Sequence, residues 1–312
     1  MAEILPRRDE LFAVAFAHAA IRVGELVARD PVEVGGDGER ALAVRRKLLP
    51  WLVLQASGVG LIGYGAIGKH VEAAGLDNIE LVSVLVRRPR TEGVLTHEPD
   101  RFFANKFDAV AECAGHEAVR THGQRVLEGG ADFLVTSVGA FTDTALFDRL
   151  LAAARANGKR LILPSAGIGA LDILSSAAVG GLDSVTVTVR KDPSAWKGTI
   201  AETLVDLDAL TAPHTVFDGP VREGARLYPQ NVNISAAAAI AGIGLDRTRV
   251  VIVADPTLTT HVVELEAKGA FGRFTFMEDV AVSEENRKTG KLVAMAMVKS
   301  VRQLASTLVV AA

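Results

Sequence analysis

Three glycines in Val59-Gly60-Leu61-Ile62-Gly63-Tyr64-Gly65-Ala66-Ile67-Gly68 stand in G-x-G-x-x-G spacing, after an apolar run and before Lys69-His70-Val71-Glu72-Ala73-Ala74. The chemistry this spacing suits is pyrophosphate binding. Gly63 permits a tight turn, Gly65 lets the backbone approach the phosphates, and Gly68 lets the following helix pack close to the strand. N–H groups at the helix start, those of Ala66 and Ile67 among them, then meet the negative charge. A second apolar run, Ile79-Glu80-Leu81-Val82-Ser83-Val84-Leu85-Val86, follows after a helix-sized gap, as a βαβ unit requires. A dinucleotide site is expected here, against the alternative of a glycine-tight strand-to-helix turn that binds nothing.

Arg87-Arg88-Pro89-Arg90 closes the second strand, about twenty residues past the glycine loop, where an NAD-specific site commonly puts an acid on the ribose 2′-hydroxyl. No acid stands there. Guanidinium groups suit a 2′-phosphate, so Arg87 and Arg88 favour NADP, or use of both NADP and NAD; a solvated turn is the other reading. Cys113 and His116 suggest a thiolate, because a nearby imidazole can lower a thiol pKa. Three residues apart across a strand end, they point different ways, and a small packed cysteine is the expectation.

Strand-then-loop grammar recurs downstream of the glycine loop. It reads as a strand and loop from Phe107 to His116, a helix from Glu117 to Glu128, a strand from Phe133 with its loop to Ala140, a helix through Ala154, and a strand and loop from Arg160 to Gly169. Ligands of doubly wound sheets bind outside the carboxyl ends of the strands. Small residues there, Cys113, Ala114 and Gly167 among them, leave room for a flat cofactor. From Gly181 the pattern changes, because Asp183 to Lys191 alternates apolar and polar positions as a half-buried strand does. Further strands are expected at 215–217, 249–254, 260–266 and 272–277, with helices at 221–227 and 234–241 and a turn at Ala212-Pro213-His214. Lys291 to Leu308 is an amphipathic pattern able to return to the first domain. The expected fold class is α/β: a Rossmann dinucleotide-binding domain over 57–170, completed by 291–312, plus a mixed-sheet α/β second domain over 171–290 for substrate and dimerisation.

Residues 1–56 precede the first Rossmann strand and read as a helical extension, Asp9 to Arg29 and Glu39 to Leu49, broken by Pro31 and Gly35-Gly36-Asp37-Gly38. Packing onto the nucleotide domain or a subunit neighbour, an unpacked tail and a misassigned start codon are all open. Asp9 and Glu10 abut the apolar run from Leu11 to Ile21, which argues against a secretory signal, and the run is too short to span a membrane. In 312 residues, 49% hydrophobic, there is material for two cores. A formal net charge of −3 argues against nucleic-acid and acidic-membrane partners and favours a small molecule. The single cysteine excludes an internal disulfide and points to a reducing, cytoplasmic setting.

Several blocks in the right order resemble the L-aspartate dehydrogenase family. They are Glu112-Cys113-Ala114-Gly115-His116, Ser137-Val138-Gly139-Ala140, Pro164 to Asp172, Arg190-Lys191 with Trp196-Lys197-Gly198-Thr199, Leu227 to Asn233, and Gly269-Ala270-Phe271-Gly272. The resemblance implies NAD(P)-linked oxidative deamination of L-aspartate through iminoaspartate to oxaloacetate and ammonia, in a homodimer, with the imine available for NAD synthesis. It also brings Asn233 in as a cofactor-binding residue. In the family a catalytic His lies eight residues after the Asp of an Asp-Pro pair, and counting from Asp255-Pro256 reaches Val263. His261 stands two residues earlier, on the same strand face and about 6–7 Å away. It is the candidate acid/base, against a second-tier or surface His. The family's Ser-Gly-Ala-Ile-Gly is Ser165-Ala166-Gly167-Ile168-Gly169 here, and its Asn-Pro-Lys-Thr-Ser is Asn286-Arg287-Lys288-Thr289-Gly290.

An imidazole near neutral pKa suits proton exchange with the amine and with the water that attacks the imine. Arg190 and Lys191 are candidates for the substrate carboxylates. A semialdehyde-dehydrogenase-like reading needs a later nucleophile than Cys113. A catalytically silent dinucleotide-binding relative, or a dehydrogenase for another small amino acid, stays open because of Val263.

Overall fold

The computed structural model describes residues 57–76, 78–89, 92–165, 169–229, 232–281 and 291–311. The expected helical extension over 1–56 lies outside them. The first part of the chain alternates strand and helix: β1 (Ser57–Ile62), α1 (Ala66–Ala73), β2 (Ile79–Leu85), β3 (Leu95–Thr96), α2 (Pro99–Phe103), β4 (Ala109–Glu112), α3 (His116–Glu128), β5 (Asp132–Val135), α4 (Thr144–Ala156) and β6 (Leu161–Ile162). All the pairings in this sheet are parallel, in the order β3-β2-β1-β4-β5-β6. That is the doubly wound dinucleotide order, with its reversal of direction between β1 and β4. Helices on both faces explain why β4 and β5 are buried at every position and carry no polar alternation.

The second part runs α5 (Leu171–Val179), β7 (Leu182–Lys191), α6 (Ala201–Leu204), β8 (His214–Pro220), α7 (Val221–Leu227), α8 (Asn233–Ala241), β9 (Arg249–Ala254), β10 (His261–Gly269), β11 (Gly272–Val280) and α9 (Lys291–Gln303). Its five-stranded sheet has the order β11-β10-β7-β9-β8, parallel only between β7 and β9. Val185, Val187 and Val189 of β7 and Val263, Leu265 and Ala267 of β10 turn into one core with Leu174, Trp196, Tyr228 and Ala238. The alternation read in the sequence is this one-sided burial.

Two differences from the sequence expectation have physical causes. The helix α5 went unread because Ala170-Leu171-Asp172-Ile173-Leu174-Ser175-Ser176-Ala177-Ala178-Val179 carries apolar residues all round, with Ile173 and Val179 exposed and Leu174 buried. His214 does not lie in a turn; it is the exposed first residue of the edge strand β8.

α9 packs on the nucleotide sheet. Met297, Val298 and Val301 share a cluster with Val59, Leu61 and Val71, and the Arg302 guanidinium donates to the Ala74 and Gly75 carbonyls at 2.6 and 2.9 Å, at the end of α1. Met297 is fully buried. Truncating such a side chain costs about 2–5 kcal/mol, so Met297→Ala is expected to lower unfolding free energy by that much in a urea titration. A loss below about 0.5 kcal/mol would show that α9 is not an integral part of this core.

Candidate active site

The three glycines after β1 act in three ways. Gly63 has φ +102°, and a Cβ there would lie 2.7 Å from the Ala114 Cβ. A Cβ on Gly68 would lie 2.3 Å from the Gly63 carbonyl oxygen, so α1 sits directly on the loop. At Gly65 a Cβ would meet nothing within 4 Å. Gly65 is the exposed N-cap of α1, with no side-chain cap and no acid in the first turn. The first N–H groups, of Ala66 and Ile67, have no acceptor within their own helix, and the space beside Gly65 at the helix start is open. These residues fit a pyrophosphate.

Across the β1/β4 reversal, Glu112 ends β4 with no exposure to water. Its Oε1 accepts from the N–H groups of Ala114 and Gly115, both at 2.7 Å, and from the Ser137 hydroxyl at 2.9 Å; Oε2 accepts from the Ser137 N–H at 3.0 Å. The Thr136 hydroxyl donates to the Glu112 carbonyl at 2.9 Å. A buried carboxylate is tolerable only when donors replace its water, and here the donors are the loops after β4 and β5. Those loops are thereby held together beside the glycine cradle.

Asn233, at the start of α8, joins the same place. Its Oδ1 accepts from the Gly139 N–H and from His116 Nε2–H, each at 2.8 Å. A Cβ on Gly139 would come within 2.7 Å of the imidazole, so this contact requires glycine. His116 therefore turns to Asn233. The Cys113 thiol is pushed well above its ordinary value, first by burial and then by the Glu112 carboxylate. A thiol held protonated in this way is not a nucleophile.

The inner face of the second sheet supplies the remaining polar groups. Val263 lies opposite Val189 on one side and Glu278 on the other, and His261 lies opposite Val280. Alternation puts Lys191, His261, Val263 and Glu278 on one face. Lys191 is 5% exposed, His261 8% and Val263 1%. The Lys191 ammonium lies 5.3 Å from the Trp196 ring centroid. Arg190, expected alongside Lys191 as a carboxylate holder, faces the other way and is ion-paired to the buried Asp255. Burial pushes Asp255 up, but hydrogen bonds from Thr257 and Arg190 outweigh it and hold the carboxyl below its ordinary value.

Arg87 and Arg88 stand exposed just past β2. Gly167 lies outside the described residues, as do residues 286–290. Among the described residues no group of three His, Cys, Asp or Glu is placed to hold a metal, and no helix is long and apolar enough to cross a membrane. Glu112 and Glu278 were not singled out in the sequence. Each left a signal: an acid ending an otherwise apolar buried strand, and an acid at the parity of Phe274 and Phe276.

A Rossmann sheet with this cradle, joined to a mixed sheet whose largely apolar inner face carries Lys191 and His261, defines an NAD(P)-dependent oxidoreductase. Residues 58–164 match the family model described as the NAD-binding domain of homoserine dehydrogenase, and residues 172–304 match that of the aspartate dehydrogenase C-terminal domain. An L-aspartate dehydrogenase of Ruegeria pomeroyi is 40% identical over 78% of this chain and 91% of its own. One of Pseudomonas aeruginosa is 44% identical over 77% and 94%. The crystal structure of aspartate dehydrogenase from Thermotoga maritima superposes with a TM-score of 0.68 at 25% identity, covering 81% of this chain and 99% of that one. The chain belongs to the L-aspartate dehydrogenase family.

The open space at Gly65 separates cofactor binding from folding. Gly65→Val is expected to keep the parent's unfolding midpoint while abolishing NADP and NAD binding by fluorescence titration. A variant that binds as tightly as the parent would remove the cradle assignment.

Proposed function

We propose that the protein oxidises L-aspartate to iminoaspartate, which water converts to oxaloacetate and ammonia. The observation that carries the reading is the meeting, in a member of this family, of a dinucleotide cradle with a sheet face bearing Lys191 and His261. NAD or NADP, held by the loop from Gly63 to Gly68 and by the strand ends at Cys113, Ala114 and Gly167, would supply the two-electron acceptor. Asn233 fixes the wall of that site through Gly139 and His116. Lys191 is the buried cation suited to a substrate carboxylate. His261 is the acid/base for the water that attacks the imine and for the amine that leaves, in place of the family His that Val263 replaces. The reading includes a homodimer.

Cofactor choice follows from Arg87 and Arg88. Charge-assisted bonds from guanidinium to a 2′-phosphate are about twice as strong as neutral ones, so NADP should serve at least as well as NAD. Replacing both arginines with Ser should raise the KM for NADP while leaving that for NAD nearly unchanged; an equal rise for the two would remove the argument.

Aspartate-dependent reduction of NAD and NADP tests the reaction itself. General acid/base groups contribute about 10²–10⁴-fold, so His261→Ala should lower kcat at least about 100-fold with cofactor affinity unchanged. Full turnover in that variant would make His261 a bystander. A parent without turnover that gains it on Val263→His would be a dinucleotide-binding relative that has lost its acid/base.

A further inference from the structure

β11 alternates, with Phe274, Phe276, Glu278 and Val280 turned to the covered face and Thr275, Met277 and Asp279 turned to solvent. Glu278 thus occupies a position that the pattern gives to an apolar side chain. Both its Oε atoms are shut off from water, and neither has a well-aligned hydrogen-bond partner among the described residues. The Gly169 N–H lies near enough to favour the charged form, but burial outweighs it and pushes the carboxyl up to about 7. An acid placed so costs stability, and it forms no ion pair among the described residues.

Three features aim this carboxyl at the reaction centre. Glu278 lies directly across the ladder from Val263, and directly opposed Cβ atoms are about 4.5–5.5 Å apart. The strand-end loop after β6 abuts the same strand, since a Cβ on Gly169 would lie 3.1 Å from the Phe276 ring. Strand ends of the parallel sheet are where the cofactor lies. Among the described residues, the titratable groups on the same face are His261 of β10 and Lys191 of β7; Lys291 follows at the start of α9, exposed, with its N–H on the Ala281 carbonyl at 3.0 Å.

We propose that Glu278 is the base that takes the proton of the substrate ammonium, an assignment that rests on the dehydrogenase reading above. An amino acid reaches the enzyme as an ammonium, whose nitrogen has no lone pair to form C=N. One N–H bond breaks and one O–H bond forms on Glu278. The carboxylate, costly where it stands, becomes neutral, and the nitrogen lone pair is released for oxidation. His261 is left to serve the water that attacks the imine.

Glu278→Gln keeps the shape and removes the charge. A carboxyl whose folded pKa is raised from 4.5 to about 7 gives stability that is complete below 4.5 and lost as pH rises through about 7. The variant should therefore fold, lack that slope, and be at least as stable as the parent above neutrality. With L-aspartate and NADP, its kcat/KM should fall at least about 100-fold and lose the acidic limb centred near 7, at unchanged NADP affinity. Carbon-13 NMR of labelled glutamate carboxyls, parent against variant, gives a readout independent of turnover. The Glu278 signal should titrate near 7 and shift when L-aspartate is added with NADP. A signal that L-aspartate does not move, or a variant with full kcat/KM, overturns the assignment. Absence of aspartate turnover in the parent, with a signal that still moves, overturns the dehydrogenase reading instead.

Discussion

The site depends on one buried carboxylate. Glu112 has no contact with water, and its carboxyl oxygens accept from three backbone N–H groups and one hydroxyl. Two of those amides belong to the loop after β4, and the other amide and the hydroxyl belong to Ser137 after β5. Neither loop can shift without leaving a buried acceptor unsatisfied, at a cost of about 1–3 kcal/mol for each lost bond. Ala114, fixed in this way, lies against Gly63. The wall opposite the glycine cradle is therefore set by an acid that need not touch the cofactor.

From that anchor the constraint passes to the second sheet. Gly139 follows Ser137 by two residues and donates to Asn233, which also accepts from His116 and so ties α8 to α3. α8 is nearly all alanine from Ala236 to Ala239, and those four residues divide between two cores: Ala236 and Ala237 pack with the nucleotide sheet's helices, Ala238 and Ala239 with the second sheet. Side chains this small let a helix be buried on both sides, and a larger residue would push the two sheets apart. The positions of Lys191 and His261 relative to the cradle thus rest on a helix whose two buried faces are alanine.

Elements with strong periodicity were legible from the sequence. The glycine loop, the alternation of β7 and the apolar runs of β4 and β5 each follow from a local rule about turns or burial. The sequence also placed His261 and Val263 on one face, because strand parity is local. What it could not reach was pairing across the fold. Nothing in the string Phe276-Met277-Glu278-Asp279 says that Glu278 stands opposite Val263; that needs the hairpin register, set by the turn at Ala270-Phe271. The Arg190–Asp255 pair likewise joins residues far apart in the chain, so Arg190 read as a free cation until its partner was visible. α5 had no periodicity to read, being apolar on exposed and buried sides alike.

The register also explains how such a site could lose a histidine at Val263 and keep its chemistry. On a strand paired on both sides a side chain has four near neighbours on its face: one opposite on each flanking strand, and those two residues along on its own strand. For Val263 two of these are His261 and Glu278. Both stand beside Val263, one along the strand and one across it, while Val263 itself stays packed in the core. A proton-exchanging group moved to either neighbour leaves the backbone, the cradle and the cation at Lys191 untouched. The sheet tolerates the move because only side-chain identity changes, and apolar surroundings raise a carboxyl such as that of Glu278 to about 7, where it can exchange protons near neutrality.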